Sequence, residues 1–327
     1  MKPVNPFHRQ TLAALAGILL FFGLPQNARA DALQVKTQVP GYYRIMLGGF
    51  EITAIHDGNV GVDMKLLRNI PEPDIRSLLA RMFVTPPQMP TSVNEFLINT
   101  GTKLVLVDTG GGNRLGPTLG NMLQNIRTSG YDPDRIDAVL ISHMHGDHMA
   151  GLLNPEGGPA FPKATVYVSK PENDFWLSGG RAEKASDAQQ QFVKLARDAA
   201  APYIAAGKWQ TFENGSELFP GIKATVVPGH TPGHAVFEVA SGGRSLVIIG
   251  DSIHSIAVQF ARPDVAIDFD IDPERAVAVR QALFKNLAEG KTLIAASHLP
   301  FPGIGRLRAE GTGAFTWVPV EFSPLQD

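Results

Sequence analysis

One stretch limits what this chain can fold into more than any other: Val139-Leu-Ile-Ser-His143-Met-His145-Gly-Asp147-His148, an apolar run ending in three histidines and an aspartate within six residues. Val139 to Ile141 read as the end of a buried strand, so the polar residues occupy the loop at its carboxyl edge. His143 and His145 are two apart, and their imidazoles can converge on one cation. Asp147 and His148 can face a second. Imidazole nitrogen and carboxylate oxygen suit zinc and similar first-row divalent ions, with ligands about 2.0 to 2.2 Å from the metal. A solvated polar loop has no reason to concentrate imidazoles this way.

The pattern of apolar strand followed by ligand recurs. Leu104 to Val107 ends in Asp108, Ile222 to Val227 in His230 and His234, Ser245 to Ile249 in Asp251, and Thr292 to Ala296 in His298. This predicts two sheets whose edges meet at one cleft. Strands are also expected at 42–46, 51–56, 95–99 and 165–168, and helices at 74–82, 117–128, 171–177, 187–206 and 273–288. The last is capped by Asp272 and closed by Gly290. On the 187–206 helix Phe192, Leu195, Ala199 and Ile204 form the expected apolar face, with a kink at Pro202. Residues 59–92, rich in proline, read as a long excursion that walls a pocket.

Residues 1–30 read as a secretory signal: Lys2 and Arg9, an apolar core from Leu12 to Leu24, then Ala28-Arg29-Ala30 before Asp31. The core is shorter than the ~20 residues of a membrane span. The expected mature chain, 31–327, is periplasmic or secreted, with no stable membrane association. Losing Lys2, Arg9 and Arg29 from 29 basic residues leaves 26 against 31 acidic ones, a balance that does not invite nucleic acid. With no cysteine in the chain, disulfides, thiolate metal sites and cysteine nucleophiles are excluded. Stability must then come from a core, and 44% hydrophobic composition over some 300 residues suffices for one large domain.

Beyond position 30 the histidines are His56, His143, His145, His148, His230, His234, His254 and His298, each at or just past an expected strand end. Two metals sharing a carboxylate need about five histidines and two aspartates. The surplus histidines are expected to orient ligands.

His143-x-His145-x-Asp147-His148, with Asp108 before it and His230, Asp251 and His298 after, resembles the metallo-β-lactamase superfamily. Pro40-Gly-Tyr-Tyr-Arg44, Asp174-Phe-Trp-Leu-Ser178, Ala257-Val-Gln-Phe260 and the run from Ala295 to Gly305 are similar to the secreted methyl parathion hydrolase and lactonase group. The resemblance implies an α/β fold, an αββα sandwich with a dinuclear metal site in the cleft at the sheet edges. It implies that His143, His145 and His230 hold one ion, that Asp147, His148 and His298 hold the other, and that Asp251 bridges them. Asp108 would hydrogen-bond the ligand loop. A bridging carboxylate is usual in lactonases and phosphotriesterases and usually missing from true β-lactamases, so antibiotic hydrolysis is disfavoured. A homodimer is expected on the same ground.

Two cations sharing a water lower its pKa from about 15.7 toward about 7, which makes hydroxide at neutral pH without a serine or cysteine. Asp147 or Asp251 would shuttle the proton. Zinc is the first expectation for both ions, although manganese, iron or cobalt suit the same ligands. The expected substrate pocket is Leu67, Leu115, Trp176, His254, Ile267 and Phe269, apolar and partly aromatic; a Trp at position 176 also suits the core. His254 puts a hydrogen-bonding group where dedicated parathion hydrolases are expected to carry an aliphatic one. Together these predict a small-molecule lactone or aryl ester as substrate, such as dihydrocoumarin or an acyl homoserine lactone, with phosphotriesters as side substrates. The reverse ranking and a non-catalytic metal-binding protein are the competing expectations.

Overall fold

The computed structural model describes residues 34–178, 187–311 and 313–325; the expected signal segment lies outside them. In chain order the elements are β1 (Tyr42–Leu47), β2 (Phe50–Asp63), β3 (Leu67–Arg68), α1 (Glu72–Arg81), β4 (Gln88–Asn99), β5 (Leu104–Val107), α2 (Met122–Thr128), β6 (Ala138–Ile141), α3 (Gly146–Met149), β7 (Thr165–Ser169), α4 (Lys170–Leu177), α5 (Asp187–Ala205) and β8 (Trp209–Phe212). Then follow β9 (Glu217–Phe219), β10 (Ile222–Val226), β11 (Ala235–Ser241), β12 (Arg244–Ile248), α6 (Ile256–Gln259), β13 (Ala266–Ile267), α7 (Pro273–Glu289), β14 (Leu293–Ala295), β15 (Ile304–Ala309) and β16 (Phe315–Pro319).

Alternation along the strands divides the apolar residues between two faces. In β4, Phe96 and Ile98 point into the space between two sheets, where Val105, Val107 and Leu140 meet Ala224, Phe237, Leu246 and Ile248. Leu97, Leu106, Val139 and Val166 point the other way, beneath Met122, Ile126, Val193, Ala199 and Tyr203 of the covering helices. On the second sheet Val236 and Ile294 lie beneath Phe284 and Leu287 of α7. Helix, sheet, sheet, helix is the expected αββα sandwich. Among the described residues the sheets run β1-β2-β4-β5-β6-β7-β8 and β16-β15-β14-β12-β11-β10-β9. Strands β5 to β8 are parallel, as are β12 and β14. Asp108, Ser142, Ile249 and Ala296 therefore leave the carboxyl ends of parallel strands, where such sheets place their chemistry.

Three expectations need correction. The excursion is shorter than 59–92, although its helix is present as α1: β2 and β4 form one long antiparallel hairpin from Glu51↔Asn99 to Asp63↔Gln88, with a bulge at His56/Gly58, and claim both ends of the segment. Gly58, Gly61 and Pro90 hid the strands from a propensity reading. Gly58 is needed there, because a Cβ would lie 1.9 Å from Thr118 O. Helix α2 starts at Met122, not at Pro117, since Gly116 and Gly120 both take positive φ and keep the chain looping until Asn121. On α5, Phe192 and Ile204 are exposed, and the buried face is Val193, Ala196, Ala199, Ala200 and Tyr203. Strands β8, β9, β11, β15 and β16 were not expected at all. No described helix is long and apolar enough to cross a membrane.

Candidate metal centre

Each turn after a strand delivers its ligand to one point. His143 Nε2, His145 Nδ1 and His230 Nε2 form a triangle with sides of 3.0, 3.0 and 3.2 Å. Asp251 Oδ2 lies 3.4 Å from His230 Nε2 and 3.6 Å from His143 Nε2. Ligands of a tetrahedral zinc sit about 3.3 Å apart, so this is the spacing of a coordination shell. Asp147, His148 and His298 make a second group. Asp147 Oδ2 is 3.4 Å from His298 Nε2 and 3.8 Å from His148 Nε2. Asp251 spans both groups, with Oδ1 3.0 Å from His148 Nε2 and Oδ2 3.1 Å from His298 Nε2.

Whether a cation fits can be decided from the protons. His143 Nδ1 lies 3.1 Å from Ser142 Oγ, which itself donates to Asp108. His148 Nδ1 lies 2.9 Å from Asp108 Oδ2, His230 Nδ1 2.9 Å from Asp270 Oδ1, and His298 Nδ1 2.8 Å from Ser92 O. Each of these acceptors holds the ring proton on Nδ1 and leaves the Nε2 lone pair facing inward. Lone pairs at 3.2 Å repel unless a cation lies between them. His148 Nε2 and Asp251 Oδ1 are both buried without a hydrogen-bond partner although only 3.0 Å apart, as expected of two ligands to one ion. The donor set, imidazoles plus carboxylates and no thiolate, fits zinc or a similar divalent ion.

The electrostatics agree. Burial opposes charge on every group, yet the surrounding histidines hold the Asp251 carboxyl well below the usual range. Burial likewise works against protonation of His230, but Asp251 and Asp270 raise its pKa to about 9, so that without a cation a proton on Nε2 takes the place the cation would fill. Burial and the charge on His230 push His234 down to about 3. Neutral His234 accepts the Asp251 backbone N–H at 3.0 Å, which steadies the bridging residue.

The centre forms the floor of a cavity of about 570 Å³. Of the expected pocket residues, Leu115, Trp176, His254 and Phe269 line it. Leu67 and Ile267 do not: they pair across β3 and β13 and point into the core. Alternation instead turns their neighbours Leu66 and Asp268 toward the cavity. Val60, Val62, Phe192 and Ile271 complete the apolar wall. His254 Nε2 is 3.1 Å from Asp251 Oδ2, its ring stacks on His298 at 5.2 Å, and its Nδ1 has no partner. Trp176 serves both expectations, buried in the core yet facing the cavity beside His145, 5.6 Å between ring centroids.

Asp108 is placed as expected, accepting from Ser142 N at 2.8 Å, Ser142 Oγ at 2.7 Å and His148 Nδ1. Sequence reasoning missed Asp270, Asp57 and Glu172. Asp57 is buried and accepts from Gly111 N, Gly120 N and Met122 N at 2.9 to 3.0 Å, fixing the loop that carries Leu115.

The chain belongs to the metallo-β-lactamase superfamily, whose sequence profile matches residues 89–298. Among solved structures it is similar to the beta lactamase superfamily hydrolase AbOPH, at 39% identity and a TM-score of 0.84, covering 88% of this chain and 100% of that one. It is also similar to AidC, a dizinc quorum-quenching lactonase solved with a product, N-hexanoyl-L-homoserine: 27% identity and a TM-score of 0.80, covering 87% of this chain and 99% of that one. An N-acyl homoserine lactonase of Bacillus thuringiensis is 24% identical over 180 residues, 54% of this chain. The match spans 60% of that relative's length.

Proposed function

We propose that this chain is a dinuclear metal-dependent hydrolase that opens lactones or aryl esters and turns over organophosphate triesters as side substrates. The observation that carries the reading is Asp251 spanning two ligand groups on the floor of an apolar cavity. The likeness to the dizinc lactonase AidC along nearly its whole length supports it. His143, His145 and His230 would hold one divalent ion and Asp147, His148 and His298 the other, and the pair would supply an ionisable water and a Lewis acid for the ester oxygen. Asp251 keeps the two sites in one frame, and Asp147, whose side chain is 27% exposed, is the residue positioned to pass a proton to the leaving group. Trp176, Leu115 and Phe269 exclude water and hold an apolar acyl or aryl group. The His254 ring, its Nε2 held 3.1 Å from Asp251 Oδ2, narrows the space beside the ligands and so favours a planar carbonyl over a tetrahedral phosphoryl centre. Residues 1–30 are proposed as a cleaved export signal, which places the enzyme in the periplasm or outside the cell.

The test is a panel of kcat/KM values for the zinc-loaded chain on dihydrocoumarin, an N-acyl homoserine lactone and methyl paraoxon. A lead of at least tenfold on one of the lactones is expected, and His254→Leu should reduce that lead. A phosphotriester lead would reverse the ranking. Loss of hydrolysis in Asp251→Asn with both ions still bound would argue for catalysis, whereas a zinc-loaded parent that hydrolysed none of the three substrates would make a storage protein the better reading.

A further inference from the structure

Glu172 is a fully buried acid that the metal chemistry leaves unused. It lies in the first turn of α4, whose start is capped by Ser169. Its Oε1 accepts from Met144 N at 2.9 Å and Trp176 Nε1 at 2.6 Å. Its Oε2 accepts from Thr231 Oγ1 at 2.7 Å and Gly233 N at 2.9 Å. Met144 lies between His143 and His145, and Thr231 follows His230. The four bonds therefore reach both backbones that carry the nitrogen triangle, one from each sheet, and also the indole that walls the cavity.

The contact is close. A Cβ on Gly233 would lie 2.2 Å from Glu172 N and 2.4 Å from Ser169 Oγ, so the His230 loop is seated directly on the start of α4. Ser169 Oγ donates to Gly233 O at 2.6 Å and closes the same junction. Burial raises the Glu172 pKa, and the four donors oppose that rise. Every atom facing the carboxylate donates, so only an acceptor with two equivalent oxygens matches the site. Glutamine would turn an N–H₂ toward a backbone N–H on one side or the other.

We propose that Glu172 is a positioning residue that fixes the spacing of His143, His145 and His230 and, from the same carboxylate, the orientation of Trp176. Metal affinity and the shape of the apolar wall are then set together. The inference rests on the reading of the triangle as a metal site.

The test compares the full chain with its Glu172→Gln, Thr231→Val and Trp176→Phe variants. Zinc affinity is measured by competition with a chromophoric chelator, ligand geometry from the visible spectrum of the cobalt(II) form, and kcat and KM on a lactone. Glu172→Gln is expected to weaken zinc binding roughly 10- to 100-fold, alter the cobalt bands, and change both kcat and KM. Thr231→Val, which removes one bond of the four, should move the same readouts less. Trp176→Phe should raise KM and leave zinc affinity within about twofold. Parent-like affinity and cobalt spectrum in Glu172→Gln would overturn the inference; should that variant not fold, the same result in Thr231→Val would do so. A parent that bound neither metal would overturn the metal reading itself.

Discussion

At the scale of single residues, the seven expected ligands come together because each follows a short apolar strand, and a strand end fixes where the next side chain can go. That signal is local and was legible. The residues that orient the ligands carry no such signal. Asp270 sits in an ordinary-looking Phe-Asp-Ile segment, yet its Oδ1 holds His230 Nδ1 while its Oδ2 accepts Ile267 N at 3.1 Å. Arg280, also buried, is 3.7 Å from the same carboxylate. Asp270→Asn turns an amide N–H₂ toward either the imidazole N–H or the Ile267 N–H, and the ring loses the acceptor that fixes its tautomer or the loop loses its anchor. The expected outcome is a roughly 10- to 100-fold loss of zinc affinity, read by chelator competition. Unchanged affinity would show that the tautomer of His230 is set by something else.

At the scale of elements, the continuous apolar strands β5, β6, β12 and β14 were readable, since burial on both faces leaves an unbroken apolar run. The long β2–β4 hairpin was not, because its outer half alternates small and polar residues around Gly58, Gly61 and Pro90. Its pairing is set by a partner strand distant in sequence rather than by propensity. The expected pocket failed at Leu67 and Ile267 for a related reason, as a two-residue strand pair turns neighbouring side chains to opposite faces and a one-residue error exchanges core for cavity. The loop from Gly111 to Asn121 depends on Asp57, buried beneath three backbone N–H groups. Asp57→Ala leaves those donors without their acceptor and should cost about 2 to 3 kcal/mol, seen as a Tm lower by several degrees. Leu115 moves with the loop, so KM should rise while both metal ions stay bound. A variant with the parent's Tm would mean that water replaces the carboxylate without loss.

At the scale of the whole molecule, the two sheets contribute unequally but jointly. The first supplies His143, His145, Asp147 and His148 from the turn after β6; the second supplies His230, Asp251 and His298 from the turns after β10, β12 and β14. Both expected ligand groups, His143, His145, His230 with Asp251 and Asp147, His148, His298, draw on both sheets. The α/β class and the meeting of two sheet edges followed from the recurring strand-then-ligand pattern, whereas the outer strands β8, β9, β15 and β16, which carry no ligands, left no comparable mark. One carboxylate, Asp251, joins the two ligand groups across this cleft. Anomalous diffraction at the zinc edge from crystals of the zinc-loaded chain tests it most directly. The expected result is two peaks per chain, one bonded to His143, His145 and His230, the other to Asp147, His148 and His298, with Asp251 touching both. A single peak, or two peaks not bridged by Asp251, would contradict it.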